Sequence, residues 1–88
     1  MKPSEWLDKT KEKLNIESDY RLAEIIGVGK TAISNIRIRN NGMDNYTACR
    51  IADILEINEI KIIADIEEQK EKKEEKRTYW RKKERIYL

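Results

Sequence analysis

The sequence predicts a small all-α domain, and three observations predict it. Apolar residues recur at intervals of three and four in one segment after another, the spacing that lines one face of a helix. Good capping residues, Ser18, Asp44 and Asn58, stand where those segments begin. No segment reads as a strand.

Helix 1 is expected from Pro3, a residue suited to a first turn, to Leu14, with Trp6, Leu7, Thr10 and Leu14 at helical spacing. Ser18 caps helix 2, with Asp19 favourable in its first turn, and Gly27 ends it after Ile26. Helix 3 begins at position 29 or 30 and runs to about 38, followed by a polar loop at 39–42. Asp44 caps helix 4, Met43 can staple against Ala48, and Ala48, Ile51, Ala52 and Leu55 form the apolar face. Asn58 caps helix 5, which starts at Glu59. Its first turns hold Ile60, Ile62, Ile63, Ala64 and Ile66, and then 67–78, EEQKEKKEEKRT, is wholly polar. Pairs such as Glu68 with Lys72 support an exposed helix there, whereas Glu71 beside Glu75 opposes it. The stretch therefore fits either a continued helix or a solvated tail. The expected organisation is a domain over 1–66 and a charged extension over 67–88.

Composition excludes several functions. A chain of 88 residues has room for one modest core. It has no His, the commonest general base and metal ligand, and its single cysteine, Cys49, cannot form an internal disulfide or a cysteine-only zinc site. Cys49 reads as inert core and Trp6 as packing. No nucleophile paired with a base is visible, so no enzyme, metal or cofactor is expected. The start of the chain has no secretory apolar core and no run is long enough for a membrane, so a cytoplasmic protein without a membrane partner is expected. A net charge of +2 says little by itself. Its placement says more: Lys30, Arg37 and Arg39 stand without an acid in 27–43, and 76–88 holds six cations against Glu84 alone.

The string GVGKT at 27–31 looks like the end of a phosphate-binding loop. That motif needs a glycine at position 24, where Glu24 stands, and a buried strand before it, where 20–26 reads as helix. A different constellation accounts for it. Two short helices meet at Gly27, Val28 and Gly29, the layout of a helix-turn-helix. Leu22, Ala23, Ile26 and Val28 point inward from one side, and Ile33 and Ile36 from the other. Lys30, Thr31, Ser34 and Asn35 fall on the opposite face of helix 3, and Ile38 shares it unless the helix has already ended.

The segment SDYRLAEIIGVGKTAISNIR, with this inner pattern, resembles the helix-turn-helix of the Cro/phage-repressor (XRE-like) family. The likeness extends over about 6–66 and implies five helices in this order. The family's usual Gln at the start of helix 2 is replaced by Asp19 or Tyr20, and its polar cap before helix 3 by Gly29. The tail is similar to charged, Trp-containing extensions of small phage-encoded members. The resemblance implies that helix 3 enters the major groove. Lys30, Thr31, Ser34 and Asn35 would then touch base edges, and Tyr20, Arg37, Arg39 and Asn40 the DNA backbone.

The expected function is a phage-type transcriptional regulator on double-stranded operator DNA. The apolar residues of helix 5 span roughly 200°, about twice the arc an ordinary surface helix needs. That excess predicts a homodimer through Ile62 and Ile66, with Trp80 on the same side if the helix is continuous, and Tyr87 beyond it. The alternatives are an antitoxin whose extension grips a protein partner, and an interaction module that no longer binds DNA. The absence of acids on the outer face of helix 3 argues against the second.

Overall fold

Local chemistry fixes the ends of the helices. The computed structural model of the chain describes residues 1–40 and 42–86. In α1 (Pro3–Leu14), the Glu5 carboxylate accepts the Lys2 amide at 2.8 Å, and Asn15 closes the helix in the left-handed region at φ 56°. In α2 (Asp19–Ile26), the Ser18 hydroxyl accepts the Arg21 amide at 3.2 Å, and Gly27 ends the helix at φ 88°. A short turn leads to α3 (Lys30–Arg39), which Asn40 ends at φ 54°. Asp44 caps α4 (Asn45–Leu55) by accepting the Thr47 amide at 2.8 Å, and Asn58 caps α5 (Glu59–Lys70) through the Ile60 amide at 2.9 Å. These five helices lie where the sequence places them, with α3 one residue longer. No strand occurs among the described residues.

The core joins α1 to α5. Trp6 and Leu7, then Leu22, Ala23 and Ile26, meet Ile33, Ile36, Met43, Ala48, Ile51, Ala52, Ile62 and Ile66 in one buried cluster. Each buried Leu or Ile contributes about 2 kcal/mol relative to exposure. Trp6 also has a polar role, since its indole N–H donates to the buried Asp65 carboxylate at 2.8 Å. From α4, Arg50 donates to the carbonyl of Ile25 at 3.1 Å, which places a cation at the negative end of α2, beside the turn. Cys49 is half-buried, less enclosed than expected.

The polar stretch after position 66 is neither a straight continuation nor a solvated tail. The boundary expected at Ile66 falls inside α5, which runs to Lys70. The Glu71 carboxylate then accepts the amides of Lys72 and Lys73, both at 3.1 Å, and supplies partners for a broken backbone. The chain reverses into α6 (Glu74–Ile86), which packs against α5. Arg77, Trp80, Arg81 and Glu84 recur at helical spacing and are half-buried, whereas Tyr79, Lys82 and Ile86 are exposed. The seam is largely ionic: Arg81 donates to Glu68 at 2.9 Å, and Lys61 approaches Glu84 at 3.9 Å.

This arrangement corrects the expected dimer contact. Ile62 and Ile66 are 0% and 4% exposed and belong to the core of this chain, so no second copy can reach them. Much of the apolar arc of α5 is taken up within the chain: the core takes Ile62 and Ile66, Ala64 is buried too, and Ile63 packs half-buried against the core, while Ile60 is half-buried outside that cluster. Because the helix breaks at 71–73, the continuity that would put Trp80 on the side of Ile62 and Ile66 is absent. Trp80 is half-buried, with Tyr79 edge-on to it at 5.2 Å. Tyr87 and Leu88 lie outside the described residues.

The two turn glycines are not equivalent. A Cβ at Gly27 would take the left-handed conformation and meet the Tyr46 hydroxyl at 3.2 Å, whereas one at Gly29 would meet nothing within 4 Å. Gly27→Ala is expected to destabilise the protein by about 1–2 kcal/mol. Gly29→Ala is expected to change stability by less than about 1 kcal/mol. Urea unfolding of both variants checks this, and equal losses would refute the assignment of the turn to Gly27.

Candidate nucleic-acid interface

α3 has one face held and one face free. Ile33 and Ile36 are buried in the core. Lys30, Thr31, Ser34, Asn35, Ile38 and Arg39 are exposed, and no acidic residue lies in the helix. The four residues expected to touch bases are thus brought together on one exposed face. Their hydroxyl, amide and ammonium groups match the donor and acceptor edges that base pairs present in the major groove.

Tyr20, at the start of α2, is exposed and stands beside this face. The Lys30 ammonium lies over its ring, 4.7 Å from the centroid. Asp19, Tyr20, Lys30, Ser34 and Arg37 line a shallow concavity of about 290 Å³ between the two helices. Arg39 is exposed at the end of α3.

Two residues expected at the DNA backbone are engaged within the chain. Arg37 donates through Nε and Nη2 to the two oxygens of Asp19, each at 3.0 Å. Its Nη1 donates to Asp8 at 2.6 Å and to the carbonyl of Ser4 at 3.2 Å. The guanidinium therefore joins α3 to α1 and α2 and has little donor capacity left for a phosphate. Asn40 accepts the Ser4 amide on Oδ1 at 3.1 Å, which ties the end of α3 to the first turn of α1. Arg37 thus anchors the helix, and Asn40 ties its end through Oδ1. Their partners lie 18 to 36 positions away in sequence, and no local pattern announces such pairs.

Hydrogen bonding from Arg37, opposed in part by burial and assisted by Lys11, holds the Asp19 carboxyl below its usual range. Lys11 reaches it at 3.1 Å and also donates to the Glu17 carbonyl at 2.9 Å. Asp19 and Arg37 thus largely cancel each other's charge beside α3, and Lys30 and Arg39 set the sign of the exposed face.

A second polar cluster lies on the α5–α6 seam. Carboxylate oxygens of Asp65, Glu68 and Glu84 come within 4.8 Å of one another. Asp65 accepts from Trp6 and Gln69, Glu68 accepts from Arg81, and Lys61 stands beside Glu84. Burial, then the charge of Asp65, pushes the Glu84 carboxyl up. The Arg81 and Lys61 contacts dock α6 on α5, and the Trp6 contact ties α5 to α1. Among the described residues no helix is long and apolar enough to cross a membrane. Comparison with protein-family models, with curated proteins and with solved structures gives no match to this chain.

The Arg37 tie has a pH signature. The folded-state pKa of Asp19 lies below its ordinary value of 3.8. Its contribution to stability is therefore present above about pH 4 and is lost as pH falls through the folded-state value. Asp19→Asn is expected to melt lower than the parent at neutral pH and to converge with it in acid. A residual acid slope should persist from Asp44, whose carboxyl is also lowered by the Thr47 amide. Arg37→Met is expected to cost about 1–2 kcal/mol, because these charged hydrogen bonds are partly open to solvent. Thermal melts across the acid range check both, and parallel curves for parent and Asp19→Asn would rule out the tie.

Proposed function

We propose that this chain is a sequence-specific regulator of transcription that binds double-stranded DNA by inserting α3 into the major groove. The observation that carries this reading is the free face of α3: Lys30, Thr31, Ser34 and Asn35 exposed together, without an acid, on a helix whose opposite face is locked into the core. The fold proposed for 1–66 is the Cro/repressor-like helix-turn-helix that the sequence resembles, with α6 added to it.

Each residue then has a role set by its chemistry. Lys30 donates to guanine O6 and N7, and the Asn35 amide pairs with adenine N6 and N7. Thr31 and Ser34 bond base edges or nearby phosphates. Arg39 and the Tyr20 hydroxyl face the DNA backbone. Arg37 and Asn40 support the reading differently from what the sequence implies, as residues that hold α3 at a fixed angle. Pairing of two copies on a palindromic site remains part of the proposal, with contact surface outside the Ile62 and Ile66 core. Tyr79 and Ile86, 56% and 72% exposed and one heptad apart on the outer side of α6, favour either that contact or the second reading, an antitoxin that grips a protein through its extension.

Four measurements test the reading. Selection from random duplexes should return a defined site, and affinity should fall linearly in a plot of log affinity against log salt, by roughly 0.9 per phosphate neutralised. Asn35→Ala should cost about 1–3 kcal/mol at one base position and relax the preference there, whereas Arg39→Ala should weaken all sequences alike. Unchanged sequence preference in Asn35→Ala would mean that α3 is not in the groove. Sedimentation of the full chain with and without the selected duplex distinguishes one copy from two, and a monomer in both states would overturn the two-fold proposal.

A further inference from the structure

Ile38 is the feature of α3 that its hydrogen-bonding face leaves unexplained. It is 78% exposed, the most exposed large apolar side chain among the described residues. It belongs neither to the buried core nor to the partly buried residues packed against it. A lone exposed isoleucine needs no explanation in general. Its position here does. Because α3 extends to Arg39, Ile38 is still helical. Seven residues at about 100° each bring it to within about 20° of Thr31, and between Ser34 and Asn35 around the helix. The centre of the free face is therefore apolar.

Among the described residues nothing packs on Ile38 that asks for isoleucine at that point. A β-branched side chain is a weaker helix former than the straight-chain residues that suit an exposed position. A protein partner is a poor match as well, since an interface core requires a contiguous apolar patch, and the flanking residues here are Thr31, Ser34 and Asn35. The major groove, by contrast, presents one apolar group among its donors and acceptors, the 5-methyl of thymine. A branched aliphatic side chain set among hydrogen-bonding residues complements that arrangement.

We propose that Ile38 is a specificity-determining residue that reads a thymine 5-methyl group in the major groove. The inference rests on the DNA-binding reading of α3 and adds to it the identity of one base in the site. The Ile38 side chain covers the methyl and removes both from water, while the polar residues around it fix the register. Cytosine, which lacks the methyl, and uracil, which differs from thymine by the methyl alone, are then disfavoured at that position.

The test uses the full chain and the duplex selected from random sequence, with each thymine replaced in turn by deoxyuridine. At one thymine, or at a symmetry-related pair, the parent protein should lose affinity about four-fold per methyl, the effect of one buried methyl group. Ile38→Ala should bind the thymine and deoxyuridine duplexes equally, at about the affinity the parent shows for deoxyuridine. An unchanged melting temperature in Ile38→Ala would show that the fold is intact, as its exposure requires. Indifference of the parent to every deoxyuridine replacement overturns the inference and leaves DNA binding standing. So does the same discrimination in Ile38→Ala as in the parent. Failure to select any duplex overturns both.

Discussion

The orientation of α3 depends on the Arg37 guanidinium. Only Ile33 and Ile36 of this helix are fully buried, and two apolar contacts one turn apart leave a helix free to roll and tilt. Arg37 removes that freedom. Its planar fork meets both oxygens of Asp19 on α2 and reaches Asp8 and the Ser4 carbonyl on α1. Such a bidentate pair has a fixed geometry, which a lysine at the same place would not impose. The Asn40 bond to the Ser4 amide acts in the same sense one turn further on. The far end of α3 is held by the turn at Gly27 and by Lys30 lying over Tyr20. A helix fixed at both ends presents its free face as a rigid array, as recognition of base edges requires.

The charges involved are also well placed for their helices. Asp19 sits in the first turn of α2 and Arg37 in the last turn of α3, so each complements the dipole of its own helix while pairing with the other. This accounts for an acid standing beside a face proposed to meet phosphates. Asp19 is neutralised where it stands, and its lowered pKa is the mark of that pairing.

The first five helices were legible in the sequence because their signals are local. Ser18, Asp44 and Asn58 cap the helices they announce, and Gly27 takes the left-handed conformation that ends α2. The exposed placement of Lys30, Thr31, Ser34 and Asn35 was legible for a similar reason: the positions of Ile33 and Ile36 decide it through the helical period. What was not legible is non-local. The pairing of Arg37 with Asp8 and Asp19 spans 29 and 18 positions, so a cation on a half-polar helix read as a phosphate contact. The same limit misled the reading of α5. Its wide apolar arc was real, but a helix cannot reveal from its own sequence whether a partner helix or a second copy covers it. The break at Glu71 was hidden in a stretch of good helix formers, where a carboxylate bonding the next two amides leaves no compositional trace.

The three tasks of α3 are interleaved rather than divided into segments. Ile33 and Ile36 bury the helix, Arg37 and Asn40 orient it, and Lys30, Thr31, Ser34, Asn35 and Ile38 project from it. Because Thr31, Ser34, Asn35 and Ile38 are exposed and take no part in the core or in the Arg37 hydrogen bonds, substitutions at these four positions touch neither the core nor the anchors, whereas Lys30 also lies over Tyr20. Exposed positions of this kind generally change stability by less than about 0.5 kcal/mol. The projecting residues can therefore change with little effect on folding, whereas a change at Arg37 would move all of them at once. In the proposed DNA-binding role, a loss of preference at several base positions together is consequently the signature of a broken anchor, and a loss at one position that of a single projecting residue.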